Sequence, residues 1–319
     1  MKSLEFVNAT RAAILYNPVA RGLSRHKHLL QSSIEALKAQ GIAAKLEATR
    51  APGTAAAQAR ALIESGCDLI VAAGGDGTIN EVANGMLHTG VPLAILPGGT
   101  ANVLAREIRL PLRMDHAASQ IRRLSPCRIA VGGVQLDGEP RIFLCMAGVG
   151  LDAEIVSRIN LDLKATLGKF AYYVCGFGQV FRQLKEFDVT IDGRLHRASF
   201  ALISRVRNYG GDLEIARGAS LLCNDFEIVL FRGTASVRYL PYLFGVILRR
   251  AHRLKGCTVL RGRSVACTNA SDAAIYFQLD GELVGKLPVA AGILPDALTL
   301  LVPPEYLSRE QAAAVPACA

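Results

Sequence analysis

Up to about residue 125, apolar positions alternate between two spacings. Short strand-like runs at residues 11–16, 42–48, 68–73 and 91–96 are separated by longer segments in which apolar residues recur with a helical period. The run at 68–73 is apolar after its first residue, as parallel strands covered on both faces tend to be. Leu29, Leu30, Ile34 and Leu37 share one helical face that Gly41 closes, and an Ala-rich helix over 54–65 is stopped by Gly66. A third helix follows Gly77, and a short one runs from near Asn102 to about Glu107. This alternation predicts a parallel α/β sheet with right-handed crossovers.

After Pro126 the pattern changes to short strands, expected at 128–134, 141–146, 187–191, 198–204, 226–231, 258–260, 264–268 and 274–279. Asp137-Gly138, Asp192-Gly193 and Asp280-Gly281 have the composition of tight hairpin turns. This is the signature of an antiparallel sandwich or curled sheet, interrupted by one helical insertion near 155–185. The expected division is therefore an α/β domain over 1–125 and a β-rich domain over 126–302. The last strand, 297–302, and the tail, 303–319, are free to return to the first domain.

Composition narrows the class. The chain has 319 residues, half of them hydrophobic and a fifth charged, which fits two ordered domains. Its eight cysteines form no CxxC pair, so they read as small core residues in a reducing compartment. Residues 1–11 lack the apolar core of a signal peptide, and no run reaches the ~18–20 apolar residues that span a bilayer. The net charge of +9 is concentrated: between Glu227 and Asp272 there is no carboxylate, while Arg232, Arg238, Arg249, Arg250, Arg253, Lys255, Arg261 and Arg263 all fall there. Such a stretch suits an anionic lipid surface or an acidic ligand, or is simply a solvated face. Without an aromatic-interleaved basic motif, nucleic acid is not expected as a partner.

The chemistry concentrates in three loops that each follow a strand, at 17–22, 74–78 and 97–102. In parallel α/β sheets, ligands sit beyond the carboxyl ends of the strands, so the three should meet at one edge. Glycines let backbone N–H groups approach a ligand, and a helix start offers unpaired N–H groups and a positive dipole end. A phosphate fits such a cradle. Thr78 and Thr100 add hydroxyl donors, and Asp76 is able to hold Mg²⁺ or accept a proton. The GxxxxGK[ST] loop is absent.

Taken together, Asn17-Pro18, Gly74-Gly75-Asp76-Gly77-Thr78 with Asn80-Glu81, and Leu96-Pro97-Gly98-Gly99-Thr100-Ala101-Asn102 resemble the signatures of the diacylglycerol kinase catalytic-domain family. Gly148-Val149-Gly150-Leu151-Asp152-Ala153, Leu167-Gly168-Lys169-Phe170-Ala171-Tyr172, Tyr209-Gly210-Gly211 and Leu279-Asp280-Gly281-Glu282 continue the resemblance in order along nearly the whole chain. It implies a Rossmann-like domain of the NAD kinase and phosphofructokinase type, a C-terminal antiparallel β-sandwich for the lipid, and an active site between them. The implied activity is ATP-dependent phosphorylation of a lipid hydroxyl, by a cytoplasmic enzyme that touches the inner membrane surface transiently and acts in phospholipid synthesis. Asn17, Pro18, Gly22, Thr49, Gly74, Gly75, Asp76, Gly77, Thr78, Asn80, Glu81, Gly99 and Thr100 would bind ATP, with Asp76 also organising the Mg²⁺ that accompanies it. Glu282 is the implied base, with Asp280 as alternative or partner. Leu136-Asp137-Gly138-Glu139 repeats the same tetrapeptide, and only the order of motifs favours the later copy.

One departure concerns an accessory metal. Where many bacterial relatives carry Asp-Asp-Gly, this chain reads Leu222-Cys223-Asn224-Asp225, so the metal-binding acid is lost or shifted to Asp225. The helical insertion, with Leu167, Phe170, Val174, Phe177, Phe181 and Leu184 at helical spacing, reads as core or as a surface for a lipid tail. An NAD kinase, or a nucleotide- or lipid-binding protein without turnover, are the competing readings. Oligomeric state, a homodimer included, is left open.

Overall fold

The computed structural model describes residues 7–19, 27–136, 138–151, 153, 184–210, 213–233, 256–270 and 274–314. The chain forms two compact units, Met1–Ala130 with Pro295–Ala319, and Val131–Leu294.

The first unit is built on parallel strands β1 (Arg11–Tyr16), β2 (Ala43–Ala48), β3 (Leu69–Gly74) and β4 (Leu93–Pro97), side by side in the order β2-β1-β3-β4. Leu300, in the strand Val289–Val302, pairs in parallel with Leu93 and extends the row. β3 and β4 are buried at every position, which is why both read as nearly unbroken apolar runs. The helices described here are α1 (Lys27–Ala39), α2 (Ala55–Glu64), α3 (Asp76–Met86), α4 (Val103–Glu107), α5 (Met114–Ser119) and α6 (Pro304–Ala314). α1 buries Leu30 and Leu37, and Gly41 and Gly66 follow α1 and α2 at positive φ. α5 escapes the sequence pattern because six residues are too few to show a period.

Two contacts hold this unit in register. The Asp68 carboxylate, before β3, accepts the Thr10 N–H at 2.9 Å, the Thr10 hydroxyl at 2.8 Å and the Arg11 N–H at 2.7 Å. Burial pushes the Asp68 carboxyl up, but those hydrogen bonds outweigh it and hold it below the ordinary aspartate value. Its contribution is therefore present above about pH 4 and disappears as pH falls through the lowered value. Asp68→Asn should lose about 1 kcal/mol at neutral pH, a figure already reduced for solvent exposure. In chemical denaturation across a pH series, that deficit should shrink toward zero in acid.

The second contact is between helices. A Cβ on Gly85 of α3 would lie 2.0 Å from the Ala56 carbonyl oxygen of α2. Gly85→Ala should lower stability by about 1–3 kcal/mol despite the better helix propensity of alanine, read as a drop in melting temperature.

In the second unit an antiparallel sheet runs in the order Cys257–Gly262, Phe226–Phe231, Phe200–Ser204, Met146–Gly150, Tyr276–Leu279, Glu282–Lys286. Ser264–Asn269 pairs with Phe187–Ile191, which pairs in turn with Arg194–Ala198; Ser264–Cys267 also faces Val289–Gly292. Phe143, Val149, Phe187, Val189, Phe226, Ile228, Val265 and Phe277 fill the sandwich core, with the Phe143 and Phe226 rings stacked 5.5 Å apart. Arg194–Ala198 and Glu282–Lys286 were not expected as strands. Both are largely exposed, so neither shows an apolar alternation.

The expected strand 141–146 is in fact the end of one strand, Glu139–Phe143, and the start of the next, Met146–Gly150. The break at Leu144 and Cys145 is invisible in an apolar run because both residues are buried. Its cause is a side chain from elsewhere, described below. The insertion at 155–183 and the basic residues Arg238, Arg249, Arg250, Arg253 and Lys255 lie outside the described residues. No helix among those described is long and apolar enough to cross a membrane. Among the described cysteines, Cys67, Cys145 and Cys267 are buried as core residues, whereas Cys127, Cys223 and Cys257 are only part-buried. Burial raises the thiols of Cys127 and Cys257 to about 11 and that of Cys267 to about 12.

Candidate active site

At the carboxyl ends of β3 and β4, two glycine pairs pack backbone against backbone. The Gly98 N–H donates to the Gly74 carbonyl at 2.8 Å. A Cβ on Gly99 would come within 2.6 Å of the Gly75 Cα, and one on Gly98 within 3.3 Å of the Gly74 Cα. The glycines are thus needed for the two loops to touch. Thr78 folds over Gly74, where a Cβ would meet its side chain at 2.9 Å. Gly75 is the N-cap of α3 and, lacking a side chain, leaves the first-turn N–H groups without a side-chain cap. Gly99 and Thr100 are exposed on the facing loop.

Asp76 ties this cradle together. It opens α3 and accepts the Leu104 N–H at 3.3 Å, at the start of α4. Burial raises its carboxyl above the ordinary aspartate value, against the opposing pull of the Val103 and Leu104 N–H groups. Asn102, the left-handed N-cap of α4 at φ 48°, clamps the Gly99 peptide from both sides. Its Oδ1 accepts the Gly99 N–H at 2.8 Å and its Nδ2 donates to the Gly99 carbonyl at 2.9 Å. Behind α4, buried Glu107 pairs with Arg309 of α6 at 3.3 Å, and Arg309 also meets Glu310 at 2.9 Å. Sequence reasoning quoted Asn102 in its motif without giving it a role and missed Glu107 and Arg309. The only local signal was an Asn able to take positive φ after Gly-Gly-Thr-Ala.

The other predicted nucleotide residues sit on the same edge. Thr49, after β2, donates its N–H to the Tyr16 carbonyl at 2.8 Å, and Asn17, after β1, accepts the Val19 N–H at 3.0 Å. Glu81 accepts the Gly53 N–H at 3.1 Å, bracing the loop that carries Thr49. Asn80 accepts from the Asn84 side-chain amide at 2.9 Å on α3. Pro18 is described; Gly22 lies outside the described residues.

In the second unit, Asp280 and Gly281 form a two-residue turn with φ of 48° and 87°, pairing Leu279 with Glu282. The Asp280 carboxylate accepts three backbone N–H groups, from Leu144 at 2.7 Å, Cys145 at 2.8 Å and Met146 at 2.9 Å. This is the acceptor that interrupts the apolar run at 144–145. The Gly281 N–H donates to the buried Gln278 side chain at 2.6 Å, so the turn is pinned at two points. Asp192 does the same work in another Asp-Gly turn, accepting the Arg263 N–H at 3.1 Å and the Ser264 N–H at 2.9 Å. Glu282, directly after the pinned turn, is exposed.

Asp225 is held by Arg261. Arg261 Nε donates to Oδ2 at 2.8 Å and Nη2 to Oδ1 at 2.6 Å. Among the described residues, no group of three or more His, Cys, Asp or Glu is placed to bind a metal.

A glycine cradle at the carboxyl ends of parallel strands, in a chain that also carries an antiparallel sandwich unit, is the kind of place where a phosphate group is held. Comparison with known proteins agrees. The diacylglycerol kinase catalytic domain family matches residues 11–134, and the YegS C-terminal NAD kinase beta sandwich-like domain matches 145–302. A diacylglycerol kinase of Bacillus subtilis (strain 168) is 30% identical over 286 residues, covering 87% of this chain and 91% of that protein. One from Staphylococcus epidermidis is 28% identical over 306 residues, covering 94% of each. The chain belongs to the diacylglycerol kinase catalytic-domain family and is an ATP-dependent lipid kinase. A crystal structure of a diacylglycerol kinase from Bacillus anthracis str. Sterne superposes with a TM-score of 0.75 over 94% of this chain and 99% of its own. At 23% identity that likeness establishes the fold alone.

Proposed function

We propose that this protein transfers the γ-phosphoryl group of ATP to a hydroxyl of diacylglycerol or a closely related lipid, feeding phospholipid synthesis at the inner membrane surface of the cytoplasm. The observation that carries this reading is the paired Gly74-Gly75 and Gly98-Gly99 cradle, in a chain whose relatives along nearly its full length are named diacylglycerol kinases. The phosphates lie against the first-turn N–H groups of α3, with the Thr78 and Thr100 hydroxyls as further donors. Thr49 and Asn17 border the same nucleotide, and Glu81 and Asn102 keep its walls rigid. Asp76 would hold the magnesium ion that arrives with ATP, directly or through water, and that ion neutralises phosphate charge. The residues fit, because a partly buried carboxylate raised by desolvation gains from a nearby cation.

Glu282 is the base. It orients the lipid hydroxyl and takes its proton as the new O–P bond forms and ADP departs. Asp280 is a positioning residue. Its carboxylate oxygens are already occupied by three backbone N–H groups, which leaves them poorly placed to receive a lipid hydroxyl.

The test offers purified protein with labelled ATP and magnesium to diacylglycerol, a sphingoid base, a polyprenol and NAD in separate reactions. Label in diacylglycerol is expected. Label in NAD alone would overturn the reading, and ATP binding without transfer to any acceptor would assign a binding protein instead.

A further inference from the structure

The segment from Gly218 to Glu227 brings together the oxygen atoms that a hard divalent cation prefers, carboxylates and backbone carbonyls. In this chain those oxygens face guanidinium groups. Arg261 forks onto both carboxylate oxygens of Asp225 and sends its remaining nitrogen, Nη1, to the Gly218 carbonyl at 3.0 Å. Arg205, fully buried, donates to the carbonyls of Asp225 at 2.6 Å and Leu221 at 2.8 Å. Strand register explains the first of these, since Arg261 pairs directly with Glu227 on the neighbouring strand, two residues from Asp225. Glu227 is itself buried, its carboxyl raised by desolvation and drawn back by a Gly218 hydrogen bond and by the charges of Arg261 and Arg207.

A cation bound at Asp225 would have to displace a planar, permanently charged group that already satisfies both oxygens in bidentate geometry. Asn224 stands beside it where a carboxylate would strengthen a metal site. We propose that Arg261, with Arg205, replaces the accessory divalent cation in this chain. The segment 218–227 is then organised by two guanidiniums and needs no metal of its own. The consequence is a sandwich unit whose folding is insensitive to chelation.

The experiment follows melting temperature in the absence of nucleotide and lipid, in EDTA and across a magnesium series, so it is independent of which substrate the enzyme uses. Wild type should melt at the same temperature throughout. Arg261→Ala and Asp225→Asn should each melt several degrees lower, and the double variant no lower than the worse single one, because both remove the same contact. A saturable rise of the wild-type melting temperature with magnesium, abolished in Asp225→Asn, would overturn the proposal. So would an Arg261→Ala protein that melts like wild type. If that variant fails to fold, the wild-type magnesium titration decides the matter alone, with manganese binding followed by electron paramagnetic resonance as the direct check.

Discussion

Glu282→Gln should lower kcat by about 10²–10⁴-fold, the usual range for loss of a general base, while the KM for ATP stays close to wild type. Glutamine keeps the size and hydrogen-bonding reach of glutamate but has no basic oxygen. The residue is exposed on a strand edge, so the fold should not notice the change, and the melting temperature serves as the control. The proposed nucleotide cradle at 74–102 belongs to a different unit of the chain, so binding of a non-hydrolysable ATP analogue should be retained. A variant with full activity would remove Glu282 from the chemistry and return the role to Asp280 or Asp76.

Asp280→Ala should behave in the opposite order, with stability failing first. It deprives the Leu144, Cys145 and Met146 N–H groups of their acceptor, in a stretch whose side chains are all buried. An unsatisfied buried donor costs about 1–3 kcal/mol, so the total loss should be about 3–5 kcal/mol, measured by urea denaturation. Activity should fall as well, since the turn presents Glu282. Asp280→Asn separates the roles: its amide oxygen accepts one or two of the three bonds, so it should recover part of both stability and turnover. A base at position 280 would predict the reverse, with Asn stable but as inactive as Ala.

Much of this organisation is legible in the sequence because it follows from local chemistry. The buried parallel strands read as apolar runs, the glycines after α1 and α2 mark helix ends, and the Asp192-Gly193 and Asp280-Gly281 pairs mark two-residue turns. What is not legible depends on partners far along the chain. Gly98 looks like a ligand-binding glycine, whereas its geometry is equally required by Gly74, 24 positions earlier. Asp280 reads as a catalytic acid or a turn residue, and the choice depends on three N–H groups at 144–146 that no local window contains. Arg261 reads as one more charge in a basic stretch, but its partner Asp225 precedes that stretch. Periodicity also says nothing of edge strands such as Arg194–Ala198, whose exposed side chains carry no burial signal.

The contact between the two glycine pairs bears on how the proposed nucleotide pocket can be altered. Because Gly74, the last residue of β3, accepts the N–H of Gly98 just after β4, the separation of the two loops is inherited from the spacing of β3 and β4. Neither loop is an independent module. A chimera that imports one loop from a distant homologue would place a foreign backbone against a surface with no room for a side chain, whereas importing both together, with Asn102 and Asp76, moves a matched pair. Changes in nucleotide preference in this scaffold should therefore be accessible through the exposed rim at Thr100 and closed at the glycines beneath it.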